Sequence, residues 1–203
     1  MSTNATTIFT IGHTTHTFDT FVSLLKQHCV TAVADVRSQP FSRRLSQFNR
    51  ESLAAGLEAV CIKYVFLGEE LGARRAEPEC YDFGRADYRR IARLPSFRKG
   101  LKRLREDAAQ YRIALLCAEK EPLDCHRTIL VCRHLRNEFR ITHILEDGTA
   151  EDHAQTERRL VRQMGVSRTL FEPNLSDEQL VQEAYDKRSL QIAYRIDEEG
   201  EPQ

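Results

Sequence analysis

The chain has 203 residues, of which 41% are hydrophobic and 30% charged, and its formal net charge is zero. That balance excludes a disordered chain, and no apolar run approaches the roughly 20 residues needed to cross a bilayer, so no membrane partner is expected. Six cysteines in a chain that opens without a basic, apolar leader point to free thiols in the cytoplasm rather than to a disulfide framework.

Residues 7–11 are β-branched and aromatic and end at Gly12-His13, which predicts a first strand. Thr17 then caps a helix whose apolar positions Phe18, Phe21, Val22, Leu24 and Leu25 follow the three-and-four spacing. Residues 30–36 form a second, nearly continuous apolar strand, as expected of a sheet covered on both faces. A helix through Leu53, Leu57 and Val60 follows, starting at Asn49 or Arg50, and then a third strand at 62–67. Cys29 and Cys61, which open the second and third strands, read as small buried hydrophobes.

Residues 68–84 are expected to form a long polar loop of the kind that often carries function, and residues 86–110 a helical region interrupted at Pro95. A fourth strand at 112–116, a helix from Cys125 to about Asn137 and a fifth strand at 141–145 complete an alternating pattern. Such alternation predicts an α/β domain over residues 1–148, with a mostly parallel central sheet and helices on both faces. Residues 149–203 are expected to be an acidic, mainly helical C-terminal extension packed on it. Its helices would run from 151 to 164 and, after a break at Pro173-Asn174, from a cap at Ser176; 191–195 would be a last strand or an ordered tail.

The densest chemistry is Cys117-Ala-Glu119-Lys-Glu121-Pro-Leu-Asp124-Cys125-His126-Arg127, at the corner between the fourth strand and the next helix. In open α/β sheets ligands bind at such carboxyl edges. Asp124 stands where an N-cap belongs, which would put Cys125 in the first helical turn, where free backbone N–H groups lower a thiol pKa. Arg127 adds to that effect, whereas Glu119, Glu121 and Asp124 oppose it. A Cys-His pair supplies a nucleophile and its base, and a nearby Arg binds an oxyanion. Adjacent helical side chains diverge by about 100°, so His126 is expected to point away from Cys125, toward Cys117 or the first loop. The Cys-x5-Arg phosphate cradle is missing, because Leu123 stands six positions after Cys117.

Other constellations surround this one in sequence space. Gly12 to Thr17 lies between a strand end and a helix start, where amides, hydroxyls and imidazoles converge on anions. Asp35 and Arg37 alternate onto one side of the second strand, so the carboxylate can orient Arg37 or His13, or simply pair with Arg37 at the sheet rim. Arg37, Arg43 and Arg44 are candidate phosphate ligands. Cys117, Cys125 and His126, with His13 as a fourth, also make a soft ligand set for zinc or iron, although Cys-x7-Cys is not a zinc-knuckle spacing. His28, His134, His143 and His153 read as structural or exposed.

Charge is uneven along the chain. Residues 37–105 hold 16 Lys+Arg against 8 Asp+Glu, and residues 146–203 hold 7 against 14. A basic middle suits phosphates or nucleic acid, and an acidic end can cover it; solvated helix faces are the plainer account.

Taken together, Thr10-Ile11-Gly12-His13-Thr14, Asp35-Val36-Arg37 with Pro40, Ser42 and Phe48, Leu67-Gly68-Glu69-Glu70-Leu71-Gly72 and the Cys117–Arg127 stretch resemble the bacterial and archaeal family called domain of unknown function 488. The match runs in family order over residues 8 to 145. Thr14, where the family commonly has Ser, and the extra Glu69-Glu70 are small departures. The resemblance implies a compact α/β domain and joins His13, Asp35, Arg37, Cys117, Glu119, Cys125, His126 and Arg127 into one site, without implying a reaction.

The sequence therefore predicts a thiol-site enzyme, a Cys-dependent transferase or hydrolase acting on an anionic, phosphate-bearing or nucleic-acid-derived ligand. Cys117 or Cys125 would be nucleophile and His126 or His13 proton carrier, with Asp35 and Glu119 as accompanying carboxylates. Arg37 and Arg127 would clamp the anion, with Thr14, Arg43 and Arg44 beside them. The alternatives are a nucleic-acid-binding module with structural cysteines and a transition-metal-binding protein with Cys/His ligands. The sequence assigns no cofactor and no oligomeric state.

Overall fold

A computed structural model describes residues 6–168 and 174–196. The first five residues and the expected break at Pro173 lie outside them. In chain order the regular elements are β1 (Thr7–Gly12), α1 (Phe18–Gln27), β2 (Ala32–Asp35), α2 (Arg50–Ala59), β3 (Lys63–Phe66), α3 (Gly68–Leu71), β4 (Tyr81–Asp82), β5 (Arg85–Ala86), α4 (Tyr88–Ile91), α5 (Pro95–Ala108), β6 (Ile113–Cys117), β7 (Arg140–Ile144), β8 (Ala150–Asp152), α6 (His153–Gln163) and α7 (Asp177–Ile192).

The fold is mixed α/β, as the alternation predicts. Six strands form one sheet in the order β3-β2-β6-β1-β7-β8. The first five are mutually parallel, and β8 runs antiparallel to β7. Strand alternation divides the interior into two layers. Phe9, Ile11, Val33, Ala114 and Leu116 pack with Phe21, Leu25, Leu53 and Leu57 of α1 and α2. Ile8, Ala34, Ile113, Leu115 and Ile141 pack on the other face with Phe97, Leu101 and Leu104 of α5. Leu160, Leu180, Ala184 and Tyr185, from α6 and α7, share that second layer, so the C-terminal segment contributes to the same interior as the sheet.

Two local features position the site. Thr17 caps α1 by accepting from the Thr20 amide, which sets the helix start six residues after Gly12. Gly12 itself is packed so closely that a Cβ there would lie 1.9 Å from the Glu119 carbonyl oxygen, so only glycine lets the Cys117–Arg127 loop lie against the end of β1.

Several sequence expectations are corrected. Cys29 and Cys61 are exposed, not buried. Each follows a helix in the left-handed region, at φ 54° and 59°, and closes the helix end in the same way. The amide after each cysteine returns to the carbonyl five residues back, Val30 to Leu25 and Ile62 to Leu57, and the bend turns the cysteine side chain outward. The segment 68–84 is not a plain loop, since it contains α3, a 3₁₀ turn at Pro78–Cys80 and β4. Positive φ at Phe83 and Gly84 makes a tight hairpin turn to β5, with phenylalanine where asparagine is the usual signal. The helical region is interrupted at Pro95 as expected, between α4 and α5, with Pro95 at the first position of α5, where its missing N–H costs nothing, but it begins at Tyr88 because Ala86 belongs to β5. Residues 150–152 pair with β7 before α6 begins. Gln191 and Ile192 still belong to α7; beyond them the Tyr194 carbonyl accepts from the Ala86 amide, and Arg195 bridges Arg85.

The helix expected from Cys125 is also different. Cys125 is extended, at φ −132° and ψ 139°, and the following residues form a widened π turn at Arg127–Val131 and then a 3₁₀ turn at Cys132–His134. Asp124 is not the N-cap; its side chain pairs with Arg188 of α7.

Candidate functional site

Because β6 is inserted between β1 and β2, its last residue, Cys117, emerges at the middle of the sheet's carboxyl edge. His13 follows β1 on one side and Arg37 follows β2 on the other. His13 N–H bonds the Cys117 carbonyl at 2.9 Å and Val36 N–H the Leu116 carbonyl at 3.1 Å, which fixes all three strand ends in register.

Cys125 takes the cap position that sequence assigns to Asp124. Its carbonyl accepts from Thr128 and Ile129, and its sulfur accepts from the Arg127 amide at 3.4 Å. The anion-favouring end of the helix therefore acts on Cys125 one residue earlier than expected.

His126 points across the turn to the end of β2 and toward Cys117, but it does not turn away from Cys125. Its Nε2 lies 2.9 Å from the Val36 carbonyl, which can only accept, so Nε2 carries a proton. Nδ1 then faces the sulfurs, 3.6 Å from Cys117 Sγ and 4.0 Å from Cys125 Sγ. Glu119 Oε2 accepts from Cys117 Sγ at 2.9 Å. One sulfur of each cysteine and one nitrogen of His126 lie within 4.8 Å of one another.

The two thiols are driven apart electrostatically. Burial raises the Cys117 pKa, and the hydrogen bond to Cys125 with the negative charges of Cys125 and Glu119 raises it further. Burial also opposes ionisation of Cys125, but the bond from Cys117, the Arg127 charge and His126 outweigh it and bring its pKa down to about 6. Burial lowers the His126 pKa, but its bond to Cys125 and the charges of Cys125 and Glu119 more than compensate, and the net shift is upward. The cluster therefore favours a Cys125 thiolate with a protonated Cys117 beside it, and the same charges favour the protonated form of His126.

A cleft of about 390 Å³ opens on this cluster, lined among others by Arg37, Arg74, Cys117, Glu119, His126 and Tyr194. Cys117, at 3% exposure, lines it; Cys125 lies just behind. Arg37 is buried and bidentate to Asp35, at 2.9 and 2.6 Å, and also bonds the Phe48 carbonyl at 2.9 Å. Tyr64 donates to the same carboxylate at 2.7 Å. Of the partners open to Asp35 it takes Arg37 and not His13, and among the described residues the Arg37 Nη1 carries no hydrogen bond.

Other predicted residues lie outside the cleft. His13 stacks on Phe48 with ring centres 4.4 Å apart, and burial lowers its pKa to about 4 despite the Thr14 carbonyl it bonds. It is not one of the clustered ligand atoms. Arg127 is wholly buried, and its guanidinium donates to the Glu119 and Lys120 carbonyls, so it acts on the loop and on the thiolate rather than on the cleft. Thr14 bonds the Ala118 carbonyl through its amide at 3.0 Å; Arg43 and Arg44 are exposed and do not line the cleft.

Arg74 and Tyr194 are cleft residues that the sequence did not single out. The Arg74 guanidinium lies over the Tyr194 ring at 4.5 Å, bringing together the polar loop and the C-terminal tail. Only the loop's length hinted at Arg74; nothing local hinted at Tyr194. Much of the basic middle is ion-paired: Arg75 with Glu77, Arg90 with Asp82, Arg105 with Glu138 and Arg89 with Asp186 of α7.

Fold and site together define an open α/β protein with a dithiol-histidine cluster at the carboxyl edge of its sheet. The chain belongs to the family described as Domain of unknown function DUF488, whose model matches residues 17–133, more than half of the chain. That match includes Asp35, Arg37 and the whole Cys117–Arg127 loop but not His13. No curated protein and no solved structure is significantly similar to the chain. Among the described residues no helix is long and apolar enough to cross a membrane.

Proposed function

We propose that the protein is a cysteine-dependent enzyme acting on an anionic small molecule, with Cys117 as nucleophile. The observation that carries this reading is the Cys117 sulfur on the cleft wall with His126 Nδ1 at 3.6 Å and Glu119 Oε2 at 2.9 Å. As Cys117 attacks an electrophilic centre, its proton passes to the Cys125 thiolate, and His126 protonates the leaving group. The free Nη1 of Arg37 and the exposed Arg74 supply the anion contacts. The cleft volume is that of a small-molecule site rather than of a polymer groove.

Alkylation by iodoacetamide, followed by peptide mass across pH, tests the nucleophile. Of the clustered thiols, Cys117 is expected to be the one alkylated, because its sulfur lies on the cleft wall, and a protein alkylated only at other cysteines removes the reading. A second reading, a zinc-like metal on Cys117, Cys125 and His126, is supported by the spacing of their ligand atoms and by the Nε2–H to Val36 bond, which holds Nδ1 toward the sulfurs. Elemental analysis of protein purified without chelator separates the two: a stoichiometric metal favours the second.

A further inference from the structure

We propose that Cys117 and Cys125 are a redox dithiol, which a hydroperoxide converts to an intramolecular disulfide across the floor of the cleft. The proposal rests on the reading of Cys117 as the cleft-facing sulfur and adds a second covalent role for Cys125.

The geometry separates this pair from the other thiols. Its sulfurs are within 4.8 Å of each other. Cys117 ends β6, and Cys125 caps the following helix from extended backbone, so the two sulfurs face each other from the two sides of one loop. Cys80 and Cys132 are fully buried within 3₁₀ turns, and burial raises the pKa of both thiols. Cys29 and Cys61 precede β2 and β3, at the end of the sheet opposite the cleft.

The chemistry closes with the groups present and the peroxide. The Cys117 sulfur attacks the terminal oxygen of the hydroperoxide, an S–O bond forms and the O–O bond breaks. The Cys117 proton moves to the Cys125 thiolate, and His126 gives its proton to the departing alkoxide, leaving Cys117 as a sulfenic acid and releasing an alcohol. Neutral His126 then takes the proton from Cys125, whose sulfur attacks the Cys117 sulfur. The S–S bond forms, the S–O bond breaks, and hydroxide leaves as water with the proton from His126. In sum, two thiols lose two electrons and two protons, and the hydroperoxide becomes alcohol and water.

The disulfide consumes the nucleophile, so an oxidised protein is expected to lose Cys117 alkylation and to regain it with dithiothreitol. The test uses the full chain with Cys29→Asn and Cys61→Asn, since asparagine tolerates the left-handed backbone at those exposed positions and removes their background reactivity. Treatment with equimolar hydrogen peroxide is expected to remove two reactive thiols, lower the mass by two hydrogens and yield a reducible peptide joining 117 to 125. A further Cys125→Ser substitution is expected to stop the reaction at a Cys117 sulfenic acid that dimedone captures. Retention of both thiols, or a disulfide that involves Cys132 or a second molecule, overturns the proposal. If Cys117 alkylates rapidly while peroxide leaves the pair reduced, the dithiol fails and the enzyme reading stands. If Cys117 does not alkylate yet the disulfide forms, the enzyme reading fails and the dithiol stands.

Discussion

A single proton and two sulfurs dominate the residue scale. With Cys125 brought down to about 6 and free cysteine near 8.5, alkylation of the pair should rise with pH around a midpoint close to 6. Cys125→Ser removes the thiolate that accepts the Cys117 proton, and its rate profile is expected to move above pH 8; a profile unchanged by that substitution would show that the sulfurs do not share a proton. Arg127 supports both loop and charge. Arg127→Met removes the donors to the Glu119 and Lys120 carbonyls and the buried charge beside Cys125, and should destabilise the fold by about 2 kcal/mol while raising the thiol midpoint, measured by urea unfolding and by the same alkylation profile. Gly12→Ala forces a methyl into the Glu119 carbonyl and is expected to lower the melting temperature and slow Cys117 alkylation together.

Elements are joined by a buried polar chain that no motif announces. Tyr185 of α7 donates to Glu157 of α6 at 2.9 Å, so its oxygen accepts from His153 Nε2 at 3.0 Å. His153 Nδ1 must then accept from His143 Nε2 at 2.8 Å, and His143 Nδ1 from the Thr10 hydroxyl at 2.8 Å. Both imidazoles are neutral, and every atom in the chain has one proton to give or take. Burial lowers the pKa of both, and the neighbouring ring and Arg127 lower His143 further. Each folded-state value lies below the unfolded value near 6.5, so the stability they allow is complete above that pH. As pH falls below about 6.5, the unfolded chain takes up protons that the fold refuses, and each histidine removes roughly 1.4 kcal/mol per pH unit. His13 adds to the loss until about pH 4. Urea unfolding at pH 7 and pH 5 should show this fall, and Tyr185→Phe, which breaks two of the links, should cost about 2 kcal/mol at pH 7.

At the scale of the whole molecule, the C-terminal helix completes the site as well as the interior. Arg188 of α7 donates to the Leu123 carbonyl at 2.9 Å and pairs with Asp124, the two residues before Cys125. Tyr194 then closes the cleft beside Arg74. A chain ending at residue 168 loses Leu180, Ala184 and Tyr185 from the second layer, and about 5 kcal/mol or more of stability is expected to go with them. Circular-dichroism melting is the measurement, and a truncated chain that unfolds cooperatively at the full-length temperature would show that the helix is dispensable. Arg188→Ala is the milder version, expected to leave the fold intact but to slow Cys117 alkylation by loosening the loop.

Local pattern determined most of the elements by itself. The apolar periodicity of Phe21, Leu25, Leu53 and Leu57, the cap at Ser176 and the alternation of strands and helices are effects of neighbours within a few residues, and these the sequence carries openly. It also marked Cys117, Cys125 and His126, because three reactive groups within ten positions must meet across one turn. The strand order was decided only by the tertiary structure: packing inserted β6 between β1 and β2, so that Arg37 faces the thiols while His13 turns onto Phe48. The burial of Arg127, the histidine chain and the arrival of Tyr194 at the cleft are likewise contacts between segments distant in sequence. Their energies depend on burial and on partners supplied by the assembled fold, neither of which exists until the sheet and its helices have closed around them.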